Sequence, residues 1–199
     1  MEVSRPGDHR DLLEELKGLN VLLAHPRDTE GLAIQRQLQR AKCEASFSWP
    51  PPPEAAPGAD AAFVLLDGRP ITADAFWVAA PARLPIVAVL ADERAARVLP
   101  LCNAHAAIMR PVQQAAILTN LLLARNNFQY EIRLQAKISK LEDTLRAFRK
   151  VEQAKLILMR QRTIGEHEAY QYLRRQAMNK RVSVAAIAAA IVEANDLLK

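Results

Sequence analysis

Short apolar runs alternate with helical periodicity across the first half of the chain. Residues 29–43, TEGLAIQRQLQRAKC, carry apolar side chains at the spacing of a helix face. Proline ends the first two apolar runs, and neither a helix nor a central strand continues through it. Near-continuous apolar strands that alternate with helices are typical of a parallel sheet covered on both faces. The pattern predicts a five-strand α/β unit, with strands at Leu19–Pro26, 44–49, Ala61–Asp67, Pro85–Ala91 and 104–111.

A long helix is predicted from Val112 to about Arg162, because this stretch is rich in helix-forming residues and contains neither Pro nor Gly. Its apolar residues recur at spacings of four and three, the seam of a coiled coil, in two runs that are out of register across 129–133. A small domain alone cannot bury such a stripe, so a parallel homodimer is the favoured interpretation. The alternative is a helix folded back on its own chain. The runs are Ile117, Leu121, Ala124 and Phe128, then Leu134, Ile138, Leu141, Leu145 and Phe148.

Two further short helices are predicted at the C-terminal end. Gly165 and Ser183 are suitable N-caps for them, and Glu166 and Glu168 lie in the first turn of the earlier helix, where the helix dipole favours negative charge. With the end of the long helix they predict a compact three-helix unit. Its expected core is Ala154, Leu158, Met159, Ala169, Tyr170, Leu173, Ala177, Met178, Ile187, Ala188 and Ile191.

These patterns divide the chain into an N-terminal segment (1–17), an α/β domain (18–112), a coiled-coil dimerisation helix (113–150) and a C-terminal helical domain (151–199). No long uncharged apolar run and no signal-like N-terminus occurs, so a cytoplasmic protein without membrane association is expected. Cys43 and Cys102 lack metal-ligand spacing, which favours buried spectator thiols and predicts no disulfide, metal or cofactor.

The net charge of +5 is unevenly distributed along the chain. Residues 1–112 contain 12 Lys and Arg against 14 Asp and Glu, a net −2, whereas 113–199 contain 15 against 8, a net +7. Any surface for an acidic partner is therefore expected in the C-terminal half.

Four positions at strand ends bear on chemistry in the α/β domain. The first strand ends in Ala24-His25, the third in Asp67, the fourth in Leu90, and the fifth in Arg110-Pro111. Over residues 18–125 the chain resembles a response-regulator receiver domain of two-component systems, which implies a flavodoxin-like (CheY-like) fold of five parallel strands.

The receiver resemblance also implies a phosphotransfer site, but most residues of that site are replaced in this sequence. The family has a pair of acids for Mg²⁺ where Ala24 and His25 stand, a hydroxyl at Leu90 and a lysine at Arg110. Mg²⁺ prefers oxygen ligands over imidazole. Asp67 is therefore an improbable phospho-acceptor, and the domain is predicted to be a non-phosphorylatable pseudo-receiver. His25 is predicted to face a partner or solvent.

The C-terminal zone carries several separated signature positions. They are Ala154-Lys155 with Leu158-Met159, then Glu168-Ala169-Tyr170, Leu173-Arg174, Ala177-Met178 and Ile187-Ala188. With these residues the zone resembles the ANTAR domain, an RNA-binding antitermination module of bacterial regulators. Together with the degenerate receiver and the coiled coil, the chain is similar to the antiterminators of amidase operons.

The resemblance implies a non-enzymatic regulator whose dimer binds hairpin RNA in nascent leader transcripts and prevents termination. The implied partners are that RNA, a second copy of the chain, and an AmiC-like ligand-sensing negative regulator with a periplasmic-binding-protein fold. Trp49, beside four prolines, is a candidate anchor for a protein partner; the alternative is a ring that packs on its own proline loop. The alternatives are a phosphorylation-dependent response regulator that uses Asp67, and a coiled-coil adaptor without a nucleic-acid role. The expected RNA-binding cations are Lys155, Arg160, Arg162, Arg174, Arg175, Lys180 and Arg181.

Overall fold

The computed structural model describes residues 14–54, 57–67 and 83–197, which form two compact units that divide after Ile132. Most of the predicted N-terminal segment, residues 1–13, lies outside the described residues. The domain boundaries predicted at 112 and 150 stay predictions. Within the described ranges, no helix combines the length and apolar composition that a membrane span needs.

The first unit contains a five-stranded parallel sheet, as the apolar runs predicted. Its strands are β1 (Asn20–Ala24), β2 (Glu44–Phe47), β3 (Ala61–Leu66), β4 (Ile86–Leu90) and β5 (Ala106–Met109), in the order β2-β1-β3-β4-β5. This is the doubly wound order of flavodoxin-like folds. The predicted receiver fold is therefore confirmed.

Helices cover the sheet, and the core lies on both of its faces. Helix α1 (Thr29–Arg40) and the first turns of α2 (Gln114–Arg162) pack on one face, where Ile34, Leu38, Ile117 and Leu121 are fully buried. β3 and β4 are buried along their whole length, as strands with covered faces must be.

Two short 3-10 turns, Ala95–Arg97 and Leu99–Leu101, connect β4 to β5. Cys43 and Cys102 are buried as predicted, and burial raises the pKa of both thiols.

Helix α2 explains why the two apolar runs of the sequence are out of register. Ile117, Leu121 and Ala124 are fully buried in the sheet core, so the first run packs within its own unit and is not a coiled-coil seam. The second run lies in the other unit and is exposed, from 39% at Leu134 to 63% at Leu141. The alternative of a helix folded back on its own chain is therefore wrong for these positions.

The second unit is a three-helix arrangement of the end of α2 with α3 (Glu166–Lys180) and α4 (Val184–Leu197). Its core is close to the predicted one, with Val192 as an unpredicted buried member. Tyr170 and Met178 were expected in the core but are 42% and 69% exposed. They lie at the edge and on the outer side of α3, because the core stripe of that helix runs through Ala169, Leu173 and Ala177 at four-residue spacing.

His105 is buried in the first unit, where its ring contacts β4 and α2. Its side chain is 5% exposed, Nδ1 accepts a hydrogen bond from the Ile86 N–H at 3.1 Å, and Nε2 lies 3.3 Å from Glu131 Oε2. Burial is the largest influence and holds the pKa of His105 below its ordinary value, although Glu131 opposes this. A protonated Nδ1 cannot accept the Ile86 hydrogen bond, so the fold favours the neutral ring.

We therefore expect acid to destabilise the first unit. Between about 6.5, the ordinary pKa of histidine, and the lower pKa of folded His105, only the unfolded chain takes up the proton. The free energy of unfolding is then greatest above that window and falls as the pH drops through it. Urea unfolding at pH 7.5 and 5.5 measures the loss, and His105→Gln should lose less than the wild type. Equal losses in both proteins would assign the pH dependence to other groups.

Candidate nucleic-acid interface

Capping interactions define where α3 begins and ends and where α4 begins. The Gly165 N–H donates to the Glu168 carboxylate at 3.4 Å at the start of α3, as the sequence predicted for an N-cap. Arg181 ends α3 in the left-handed conformation, and the Ser183 hydroxyl accepts a hydrogen bond from the Ala186 N–H at 3.1 Å. The side chains of α3 are therefore presented on a helix that is defined at both ends.

Lys155 lies inside the second unit, where it joins two helices. It is 8% exposed, and its Nζ lies 2.8 Å from Glu152 Oε1 on α2 and 2.6 Å from Glu166 Oε1 on α3. The hydrogen bonds that Lys155 donates to Glu152 and to Glu166 raise the pKa of Lys155, and the same lysine lowers the pKa of Glu166. The lysine that was predicted to bind RNA is thus engaged in ion pairs with two carboxylates. Glu152, three residues before Lys155 on the same helix, is the sequence signal that could have indicated such a pair.

A groove of about 590 Å³ runs between the end of α2 and α3. The guanidinium carbon of Arg162 lies 4.2 Å from the Tyr172 ring centroid, and its Nη2 donates to the Tyr172 hydroxyl at 3.1 Å. His167, Gln171 and Arg175 line the same groove. An arginine stacked on an aromatic ring beside further donors is a surface on which unstacked bases and phosphates can bind.

Arg174 extends this surface across the outer side of α3. It is exposed and follows His167 by seven residues, so both lie on one helix face. Met178, four residues further, is on that face too, and Tyr170 lies at its edge. We define the outer face of α3 as His167, Gln171, Arg174, Arg175 and Met178; of these, sequence reasoning had identified only the two arginines.

The other predicted cations lie elsewhere in the second unit. Arg160 lines a different groove, between α2 and α4. Lys180 follows the buried Leu173 by seven residues, so it lies on the core side of α3, and it is exposed because the helix ends there. Arg181 is the exposed C-terminal cap. The structure therefore brings Arg162 and Arg175 into one groove, places Arg174 on the adjoining outer face of α3, and separates the remaining four.

The carboxyl edge of the sheet in the first unit contains the positions that correspond to a receiver site. Asp67 follows β3 directly and is exposed, whereas Leu90 at the end of β4 is buried. His25 was expected to face a partner or solvent, but its side chain is fully buried. Its Nδ1 donates to the Pro26 carbonyl at 2.8 Å, and a side chain at Gly31 would meet that carbonyl oxygen at 2.3 Å. The close approach of α1 thus buries the ring.

Arg110, at the place of the receiver lysine, is engaged in ion pairs with α1. Its guanidinium contacts Glu30 and lies 3.0 Å from Asp28 Oδ2. Burial raises the pKa of Asp28, but the Gly31 N–H, the His25 ring and Arg110 together outweigh it and lower that pKa. Arg110 therefore ties the segment between β5 and α2 to the start of α1 through these ion pairs.

An open groove of about 520 Å³ lies beside Trp49 at the same end of the sheet. Phe47 and Arg27 line it, with the Arg27 guanidinium carbon 5.0 Å from the Phe47 ring centroid. Trp49 is 44% exposed, so it presents aromatic surface at this groove.

Comparison with known proteins gives two family matches and one curated relative. The family model described as AmiR, N-terminal, matches residues 19–125, and the ANTAR domain model matches residues 139–192. The aliphatic amidase regulator of Pseudomonas aeruginosa is 29% identical over 181 residues, which cover 89% of this chain and 92% of the relative.

Solved structures also show similarity to this chain. A response regulator CheY-like protein from Mesorhizobium loti is 18% identical with a TM-score of 0.41, covering 54% of this chain and 98% of that chain. Full-length FixJ from B. japonicum is 14% identical with a TM-score of 0.41, covering 89% of this chain and 98% of that chain.

Proposed function

Because the chain belongs to the AmiR N-terminal family and carries an ANTAR domain, we propose that it is a non-enzymatic, RNA-binding transcription antitermination regulator. Its dimer binds hairpins in a nascent leader transcript through the second unit and keeps a downstream terminator from forming. The observation that carries this proposal is the groove in which Arg175 joins the Arg162–Tyr172 stack, with Arg174 exposed on the adjoining outer face of α3, all within the matched domain.

The chemistry of the outer face of α3 suits RNA. Arginine pairs with phosphates and also stacks on or hydrogen-bonds to bases that are splayed out of a loop. Gln171 adds an amide that can pair with base edges. Lys155 acts as a positioning residue in this proposal, because its ion pair with Glu166 holds the first turn of α3 against α2, while Glu152 orients the lysine from within α2.

The first unit serves as a protein-docking platform in this proposal, without phosphorylation. The Arg110 charge is balanced by Asp28 and Glu30, so it is not available to a phosphoryl group at Asp67. The carboxylates that a receiver uses for Mg²⁺ are replaced by Ala24 and the buried His25. A mass shift with acetyl phosphate and Mg²⁺ that disappears in Asp67→Asn would instead support the phosphorylation-dependent alternative.

A ligand-sensing negative regulator is the proposed partner of the first unit, as in the amidase regulator family. The Trp49 groove is the proposed docking place, since an exposed tryptophan with an adjacent arginine is a common hot spot of protein interfaces. Release of this partner would free the dimer to bind RNA.

We expect Arg174→Ala to weaken RNA binding without changing the dimer. The substitution removes one arginine contact from each copy, so affinity for an RNA with two short hairpins should fall about tenfold per copy and the salt slope should drop by about 1.4 to 1.8. The probe RNA is taken from the leader of the operon that encodes the chain, and filter binding across a salt series measures both quantities.

Arg36→Ala is the matched control, because Arg36 is an exposed helix arginine in the first unit. It should leave affinity and salt slope unchanged. Equal effects of Arg36→Ala and Arg174→Ala would indicate unspecific attraction of a basic protein to RNA and contradict the assignment of the outer face of α3.

A further inference from the structure

A second groove, of about 410 Å³, lies between α2 and α4, separate from the outer face of α3. Its apolar lining is formed by Leu156, Ile157 and Val192. Val192 is buried, but Leu156 is 55% exposed although it stands beside the core of a folded unit. Covering an apolar side chain that is exposed in a groove lowers the free energy, so such a groove favours binding of a ligand.

Amide side chains stand above this apolar lining. Gln161 from α2 and Asn195 from α4 face each other, with Nε2 and Oδ1 3.4 Å apart. That separation is long for a hydrogen bond, so both amides have capacity for a better partner. Amides placed over an apolar surface can pair with the edges of a nucleobase whose ring lies on that surface.

Two cations mark the ends of the groove. Lys150 and Arg160 are ten residues apart on α2, which corresponds to about 15 Å along a helix. One carboxylate, Asp196, lines the groove as well, so cations exceed anions there by two to one. Positive charge at both ends, with Leu156 and Ile157 between the cations and the two amides at the Arg160 end, matches a short stretch of single-stranded nucleic acid, which carries phosphates on each side of its bases.

We propose that this groove binds unpaired nucleotides of the RNA, in addition to the contacts of the outer face of α3. The bases lie on Leu156 and Ile157, Gln161 and Asn195 pair with base edges, and Lys150 and Arg160 contact the flanking phosphates. This inference rests on the proposed function and adds a second subsite that reads unpaired bases.

The test uses the full-length dimer that carries Gln161→Ala and Asn195→Ala together. The double substitution removes one amide from the α2 side of the groove and one from the α4 side without changing the net charge. Affinity for the two-hairpin RNA should fall about tenfold, because two base contacts are lost, while the salt slope stays unchanged. Affinity for a fully paired RNA duplex should not change. Gln135→Ala, an exposed amide on α2 outside the groove, is the matched control, and thermal unfolding verifies that each variant is folded.

Three outcomes would overturn the proposal. If Arg174→Ala weakens RNA binding but the double amide variant does not, the groove is not an RNA subsite and the proposed function stands. If the wild-type dimer binds no RNA, the proposed function fails and this inference fails with it. If Leu156→Ser dissociates the dimer but leaves affinity for a single hairpin unchanged, the groove belongs to the contact between two copies.

Discussion

Replacing Leu141 and Leu145 by glutamate is expected to convert the proposed dimer into monomers and to abolish tight binding of the two-hairpin RNA. Both side chains are more than half exposed in the single chain and belong to the seam at four- and three-residue spacing. In a dimer the exposed part of four leucines becomes buried, 63% of each Leu141 and 56% of each Leu145. At about 1.5 to 3 kcal/mol for a fully exposed side chain, this burial stabilises association by roughly 4 to 7 kcal/mol. Glutamates at these positions remove that gain and repel one another.

The effect on RNA follows from multivalency. A dimer that engages two hairpins benefits from an effective concentration that can raise affinity about 10² to 10⁴ over one contact. The variant should therefore bind one-hairpin and two-hairpin RNAs with similar affinity, whereas the wild type prefers two. Sedimentation equilibrium gives the mass, and filter binding with both RNAs gives the affinities.

Ala136→Glu with Ser139→Glu is the matched control, because both positions are exposed on the side of α2 away from the seam. This variant should remain a dimer with full preference for two hairpins. A seam variant that keeps the dimer mass would show that the copies associate through another surface, and the exposed seam would then require another partner.

The sequence predicted the sheet and the long helix because both depend on local patterns. The strands β3 and β4 are unbroken apolar runs. Runs of this kind are typical of a parallel sheet that is covered on both faces, because both sides of each strand must be buried. The register break near 129–133 was also visible, but its cause was not. It arises because the first run of α2 packs on the sheet and the second does not, and only the tertiary structure shows which partner each run has.

The candidate site was harder to predict, because its residues are defined by long-range contacts. Arg110 meets carboxylates 80 and 82 residues away, and Lys155 meets Glu166 on the following helix, so neither arrangement follows from local spacing. Tyr170 and Met178 are a different case. They were assigned to the core because they are apolar and follow the core residues Ala169 and Ala177 directly, although the stripe Ala169, Leu173 and Ala177 already places Met178 on the exposed side of α3.

Leu173→Ala is expected to unfold the second unit while leaving the dimer intact. Leu173 is fully buried in a core of only eight buried residues, all from α2, α3 and α4. Removing a buried leucine side chain usually costs about 2 to 5 kcal/mol, which is a large part of the stability of so small a unit. The outer face of α3 then loses its support, so RNA affinity should fall to the unspecific level. The seam from Leu134 to Phe148 lies outside this core and should still associate.

Limited proteolysis and filter binding test this prediction in the full-length protein. Cleavage of the Leu173→Ala variant should concentrate after residue 150, while sedimentation still gives the mass of a dimer. Leu197→Ala is the matched control, because that leucine is 87% exposed and its removal should change neither stability nor affinity. Full RNA affinity in Leu173→Ala would contradict the proposal, since it would mean that RNA binds without the packed three-helix unit.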